Sequence, residues 1–154
     1  MKFGKSNFKE FQEFAEKFEK AADESEAFIE RCTKELAARL LAKVIPLTPV
    51  KDGVLKRGWI STTHADAETG GDVTSGEIKQ HAEGIEVRKV GKTFEIEVKN
   101  PVLYALYREY GHFTRDRETW VEGSFMLTMS EEQLQSEMPR ILKRKLNEFF
   151  KEVT

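Results

Sequence analysis

From Phe8 to Val44 the chain carries one apolar stripe: Phe8, Phe11, Ala15, Phe18, Ala22, Ile29, Cys32, Leu36, Leu40 and Val44 recur at three, four or seven, with lysines and glutamates between them. Apolar residues at that spacing share one face of an α-helix. Ser6 or Asn7 can cap its start, because a short polar side chain accepts an amide that the first turn leaves unpaired. Asp23-Glu24-Ser25-Glu26 interrupts the stripe with a polar heptad position at Ser25 and a possible new cap at Asp23. A short helix followed by a long one and a continuous rod are both compatible with that pattern. Pro46 and Pro49 close the segment, since neither supplies the amide that a continuing helix needs. The stripe is too long for a compact domain unless part of it meets another subunit.

A second feature lies between Asn100 and Leu127, where all three tyrosines and one of the two tryptophans fall. Leu103, Tyr104, Leu106, Tyr107 and Tyr110 are spaced by three and four, which predicts a short helix with one apolar, aromatic face. Gly111 is expected to end it in the left-handed conformation that glycine enters without steric cost. Two turns of helix do not stand alone in water, so a larger frame must hold that face.

The rest of the chain supplies the frame. Asp52-Gly53 reads as a turn, and Trp59-Ile60-Ser61-Thr62-Thr63 reads as a strand because its residues are aromatic or β-branched. His64 to Glu83 contains Gly70, Gly71 and Gly76, several acids and almost no large apolar residue, and is expected to be a mobile loop (about residues 64–84) that binds something or orders on assembly. Ile85-Glu86-Val87-Arg88 and Thr93-Phe94-Glu95-Ile96-Glu97-Val98 alternate around Gly91-Lys92, which predicts an antiparallel hairpin with one face buried. Ser124 or Ser130 can cap a later helix start, the latter with Gln133 as a capping box. Met138, Ile141, Leu142, Leu146, Phe149 and Val153 give the last helix its apolar side, with a kink or a break equally open at residues 135 to 139 around Pro139. The expected fold is α+β: a long N-terminal helix or helix pair and C-terminal helices packed on a small antiparallel sheet of three to four strands. At 154 residues one domain over residues 1–154 is expected.

The composition narrows function mainly by exclusion. A net charge of -2 disfavours a polybasic nucleic-acid binder, and a single cysteine, Cys32, rules out an intrachain disulfide and fits a reducing compartment. No apolar run approaches the ~20 residues of a membrane span, and Met1-Lys2-Phe3-Gly4-Lys5 has no apolar signal core behind it, so a cytoplasmic product is expected. His64, His81 and His112 are not paired at metal-ligand spacing, and Cys32 on the apolar stripe reads as a buried small hydrophobe. No phosphate loop, dinucleotide fingerprint or nucleophile elbow occurs, so neither catalytic residues nor a metal or cofactor is expected. The alternative is a nucleic-acid-binding module. Lys51, Lys56 and Arg57 flank Trp59, and Arg108, Arg115 and Arg117 surround the aromatic stretch, although Asp52, Glu109, Asp116 and Glu118 cancel much of their field.

Two segments together resemble a known family. Thr48-Pro49-Val50-Lys51-Asp52-Gly53-Val54-Leu55-Lys56-Arg57-Gly58-Trp59 is similar to the signature that follows the long helix in the minor tail, neck and tail-completion proteins of tailed bacteriophages and prophages. Tyr104, Ala105, Tyr107, Glu109, Tyr110 and Gly111 match a second motif of that family, and Phe125-Met126-Leu127 resembles the opening of its final helix. The chain departs from the pattern at Asp52-Gly53-Val54 and at Thr128-Met129-Ser130. The resemblance implies a non-enzymatic virion protein of the tail or neck. It would act in tail completion and head-tail joining after assembly in the host cytoplasm. The implied partners are other tail, tail-terminator or connector proteins, and the implied working state is a cyclic homo-oligomer that can be a monomer when isolated. A closed ring needs two different complementary surfaces on each subunit. Trp59, Tyr104, Tyr107, Tyr110, Trp120 and Phe125 are the candidate interface residues, since aromatic side chains concentrate at interface centres; Tyr104 and Tyr107 could equally pack the domain core.

Overall fold

The computed structural model describes residues 24–50 and 53–153. Their elements run α1 (Glu24–Leu47), α2 (Val54–Gly58), α3 (His64–Glu68), α4 (Ser75–Glu83), β1 (Arg88–Val90), β2 (Thr93–Glu95), α5 (Ala105–Tyr110), β3 (Gly111–Phe113), β4 (Trp120–Glu122) and α6 (Met126–Val153). The part of the apolar stripe from Phe8 to Ala22, with its choice between one helix and two, lies outside the described residues, as do Lys51 and Asp52.

The two long helices, α1 and α6, pack against each other and make most of the core. Ile29, Cys32, Leu36, Leu40 and Val44 are all buried, as the spacing of the stripe predicts. Met138, Ile141 and Leu142 of α6 are buried with them in one cluster. Burying a side chain of this size stabilises the fold by about 1.5–3 kcal/mol, so the α1–α6 seam is its principal source of stability. Ion pairs tie the helices along their edges: Lys43 Nζ lies 2.9 Å from Glu137 Oε1, and Lys145 Nζ lies 2.6 Å from Glu35 Oε2. Pro46 sits one residue before the end of α1, and Pro139 lies inside an unbroken α6. The open choice at residues 135 to 139 is therefore resolved as one continuous helix.

The sheet is smaller than the alternating pattern predicts. Two separate two-stranded antiparallel sheets form in place of one sheet of three to four strands. In the first, Arg88 pairs with Glu95, Lys89 with Phe94 and Val90 with Thr93 around Gly91. The ladder stops at Glu95 because the chain then turns inward to bury Val98 in the core. The expected strand at Trp59–Thr63 is replaced by helical turns: α2 ends at Gly58, and the amides of Trp59, Ile60 and Ser61 donate to the carbonyls of Lys56, Arg57 and Gly58. Burial of the Trp59 ring overrides the local strand preference of these residues.

His64–Glu83 also differs from the expected loop, because it carries α3 and α4. Each helix begins with a capping box. Thr63 Oγ1 accepts the Asp66 amide while the Asp66 carboxylate accepts the Thr63 amide, and Thr74 and Glu77 repeat the arrangement. Reciprocal capping satisfies amides that a short helix otherwise leaves open, so weakly apolar segments become helical. α4 packs along α1, and Gly70 and Gly71, both at positive φ, lie in the connection from α3 to α4.

Candidate docking surface

The frame beneath the surface joins the two motif segments. The Trp59 indole is fully buried, and its Nε1 donates to Thr48 Oγ1 at 2.9 Å. The Thr48 hydroxyl donates in turn to the Val44 carbonyl at 2.7 Å, so the tryptophan is anchored to the last turn of α1. Asn100, also fully buried, donates from Nδ2 to the Leu55 carbonyl at 2.9 Å and accepts the Val102 amide at 3.1 Å. Gly58 faces that amide. A Cβ there would lie 2.2 Å from Asn100 Oδ1, so a side chain at residue 58 would separate α2 from the segment leading to α5.

α5 then meets the start of α6 through a buried carboxylate. Glu109 Oε2 accepts the Leu127 amide at 2.9 Å, and Oε1 accepts the Thr128 amide at 2.9 Å and the Thr128 hydroxyl at 2.7 Å. These are the first-turn donors of α6, where a negative charge also complements the helix dipole. The N-terminus of α6 is thus capped from another helix. Ser130, expected as a possible cap, lies inside α6 and donates to the Met126 carbonyl at 2.6 Å. The backbone completes the joint: Ser124 and Phe125 donate to the carbonyls of Arg108 and Glu109, and Phe125 takes a positive φ of 47° to make the corner. Gly123 fits against this turn so closely that a Cβ would lie 2.2 Å from the Glu109 carbonyl oxygen.

Burying Glu109 turns the short helix the other way round from a core-facing aromatic helix. Its inner face carries Ala105 and Glu109, while Leu103, Tyr107 and Tyr110 are 82%, 58% and 56% exposed. Gly111 ends the helix at a positive φ of 88° and starts the β3–β4 hairpin, in which Gly111 pairs with Glu122, His112 with Val121 and Phe113 with Trp120. That hairpin extends the aromatic surface: Trp120 is 45% exposed and meets Phe113 edge-on with ring centroids 5.0 Å apart. Phe125 is exposed at the corner beyond it. Beside the surface is a cavity of about 500 Å³ lined by Tyr104, Tyr107, His112 and Val121 among others. Tyr104, half-buried, packs against the core. His112 Nδ1 is buried there without a hydrogen-bond partner among the described residues.

Of the six candidate interface residues, Tyr107, Tyr110, Trp120 and Phe125 are exposed on this side, Tyr104 lines its cavity, and Trp59 is enclosed in the core. Phe113 adds an exposed ring that the tyrosine spacing alone does not reveal. Glu109, Thr48 and Gly123 carry the supporting geometry. Thr48 and Glu109 stand in the two motif segments, and Glu109 is marked as well by its helical spacing of four from Ala105 on the face opposite the tyrosines.

Several other titratable groups lie away from this surface. Burial pushes the Cys32 thiol up to about 11, which keeps it protonated and unreactive at neutral pH. His64 Nδ1 accepts the Leu103 amide at 3.3 Å while Nε2 sits 3.2 Å from Glu68, and desolvation lowers the pKa of His81. No group of three or more His, Cys, Asp or Glu side chains is placed to hold a metal ion among the described residues. No helix of the described residues is long and apolar enough to cross a membrane. Trp59 offers no stacking surface to a base, and Arg57 beside it is engaged with Glu77 at 2.8 Å.

No curated protein and no solved structure matches the chain. A family model does, over residues 12–111, from within the apolar stripe to the glycine that ends α5, and its description is "Bacteriophage HK97-gp10, putative tail-component". With both motif segments inside the matched region and joined in space through Gly58, Asn100 and α5, the chain belongs to the HK97-gp10-like family of bacteriophage tail components.

Proposed function

We propose that the chain acts as a single tail-completion domain that joins the phage tail to the head-proximal neck, and that the α5 and β3–β4 surface is where it docks. The observation carrying this reading is that α5 turns Leu103, Leu106, Tyr107 and Tyr110 outward over a buried carboxylate, beside exposed Phe113 and Trp120. Contiguous aromatic exposure on this scale marks a protein–protein surface in a water-soluble subunit. The occupant is a neighbouring copy in a cyclic ring or a tail, tail-terminator or connector protein, and the isolated protein can be a monomer before assembly in the host cytoplasm. The glycine-rich linker between α3 and α4 supplies the mobile part. The mechanism is conditional association and requires no bond chemistry.

The experiment is light scattering on the purified protein, alone and with purified tail tubes, alongside DNA binding across salt concentrations. A ring, or a monomer that joins the tube end, supports the reading. A monomer that ignores tubes and binds DNA with a steep salt slope overturns it in favour of a nucleic-acid-binding module.

A further inference from the structure

The cavity of about 500 Å³ beside the docking surface is lined by two polar side chains that the fold itself leaves unused, Arg108 and His112. Among the described residues, the half-buried arginines are Arg39, Arg57 and Arg108. Arg39 lies 3.1 Å from Glu35 and Arg57 lies 2.8 Å from Glu77, whereas no carboxylate of the described residues is within ion-pair distance of Arg108. Its sequence neighbour Glu109 is turned inward and taken up by the Leu127 and Thr128 amides. His112 Nδ1 is the second unused group, buried without a hydrogen-bond partner among the described residues. Withdrawing a charge or a polar atom from water is unfavourable unless a partner replaces the water, so both groups call for one.

The rest of the lining decides what that partner is. Leu55, Val121 and the rings of Tyr104 and Tyr107 supply mostly apolar wall. The backbone beneath the two polar groups is fixed: the Arg108 carbonyl accepts the Ser124 amide at 2.7 Å, the Arg108 amide donates to the Tyr104 carbonyl at 3.2 Å, and His112 pairs with Val121 in the hairpin. The His112 and Tyr107 rings lie 5.6 Å apart between centroids. A few polar groups held in an apolar concave wall are the pattern of a specific pocket. A guanidinium presents a planar fork of donors that matches a carboxylate, and an imidazole nitrogen carrying its hydrogen donates to the same kind of oxygen. The apolar wall suits the methylene stem beneath such a carboxylate. The exposed Tyr110 and Trp120 rings of the same side suit the protein surface that carries it, since tyrosine, tryptophan and arginine together dominate the energetics of protein contacts.

We propose that this cavity is a carboxylate socket, which receives an Asp or Glu side chain of the protein that docks on the α5 and β3–β4 surface, with Arg108 as its counter-ion and His112 Nδ1 as a second hydrogen-bond donor. The proposal rests on the docking reading and names its recognition chemistry: the aromatic rings supply contact area, and the socket selects a partner with an acidic side chain. A partner lacking that carboxylate would bury Arg108 unpaired, so the socket also acts against wrong partners.

The test uses the full chain and two probes of the same shape, N-acetyl-glutamate amide and N-acetyl-glutamine amide, titrated while the His112 ring is followed by NMR. The glutamate probe should give a saturable shift and bind about tenfold or more tightly than the glutamine probe, the scale of a charge-assisted hydrogen bond, and Arg108→Gln should abolish the difference. Equal responses to the two probes, or no response at His112, would overturn the proposal. Inorganic phosphate binding as tightly as the glutamate probe would make the cavity a general anion site and overturn it equally.

A second measurement links the socket to docking. Arg108→Gln should melt near the parent chain, because Arg108 has no carboxylate partner among the described residues, while its incorporation into purified tail tubes falls about tenfold. A Tm well below that of the parent would give Arg108 a structural role and overturn the proposal. Arg108→Gln that joins tubes as well as the parent would overturn the socket and leave the docking surface standing. The docking surface falls instead if Leu103→Asp with Tyr110→Asp leaves tube joining unchanged, whatever the probes do.

Discussion

Glu109 Oε2 accepts the backbone amide of Leu127 at 2.9 Å, so a side chain on the short α5 helix caps the long α6 helix eighteen residues further along the chain. The same carboxylate takes the Thr128 amide and hydroxyl, and this cluster fixes which way the tyrosines face. Glu109→Ala should therefore destabilise the protein by about 2–3 kcal/mol, the scale of a lost cap plus unpaired buried amides. Glu109→Gln should cost less, because one amide oxygen can still accept, but not nothing, since its NH2 would face the α6 amides. Urea unfolding checks both. A Glu109→Ala midpoint equal to that of the parent chain would show that the cap contributes no stability.

Gly123 and Gly58 make a prediction of overpacking. Gly123→Ala places a methyl group 2.2 Å from the Glu109 carbonyl oxygen, a backbone atom that cannot rotate away. A loss of at least about 1–3 kcal/mol is expected from clashes of this kind. Gly58→Ala should behave similarly, and pairing it with Asn100→Ala should recover part of the loss by removing the amide it strikes. Thermal melts of the two single variants and the double variant decide whether the positions are coupled.

The two tryptophans should report separately. Trp59 is sealed in the core with its indole N–H bound to Thr48, whereas Trp120 is exposed on the docking side. In Trp120→Phe the remaining emission should be blue-shifted and shielded from iodide, and in Trp59→Phe it should be red-shifted and readily quenched. Trp59→Ala should cost about 3–5 kcal/mol, as large aromatic deletions in cores do.

Acid should loosen the α1–α6 seam. Burial works against the charge on Glu35, but hydrogen bonds from Lys145 and Arg39 outweigh it and hold its pKa below the ordinary 4.5. Glu137 is lowered by its hydrogen bond from Lys43. For a carboxyl whose folded pKa is depressed, the unfolded chain binds the proton first as pH falls. The stabilisation is thus complete above about pH 4.5 and is lost as pH drops through the lower folded values. Glu35→Gln should flatten the decline of Tm below that pH. An unaltered acid profile in both Glu35→Gln and Glu137→Gln would mean that these pairs do not contribute.

Limited proteolysis addresses the segment between α2 and the first hairpin. The first cut should fall in the linker that contains Gly70 and Gly71, because α3 is short and capped only from within itself. Protection of that linker in the isolated subunit would remove the mobile role assigned to it.

Much of this architecture could be read from spacing. The α1 stripe is long, periodic and buried as its pattern predicts, Met138, Ile141 and Leu142 of α6 are buried with Leu146 and Phe149 partly so, and Pro46 and Gly111 mark true helix ends. Periodicity alone does not reveal which face of a two-turn helix turns inward. Tyr107 and Tyr110 share one phase, Ala105 and Glu109 another, and the choice was made by amides at Leu127 and Thr128 that are remote in sequence. The scarcity of large apolar residues from His64 to Glu83 points to a loop, and the Thr63–Asp66 and Thr74–Glu77 capping boxes that make it helical carry no apolar signal. Trp59–Thr63 failed as a strand because burying one indole outweighed local β preference.

The docking claim is tested most directly by a surface change that leaves the frame intact. Leu103 and Tyr110 point outward, so Leu103→Asp with Tyr110→Asp should change stability by no more than about 1 kcal/mol in total, as surface substitutions generally do. Incorporation into purified tail tubes, followed by sedimentation and mass, should fall at least tenfold for the double variant while its melt stays near that of the parent chain. A folded double variant that joins tubes or rings as efficiently as the parent would contradict the account.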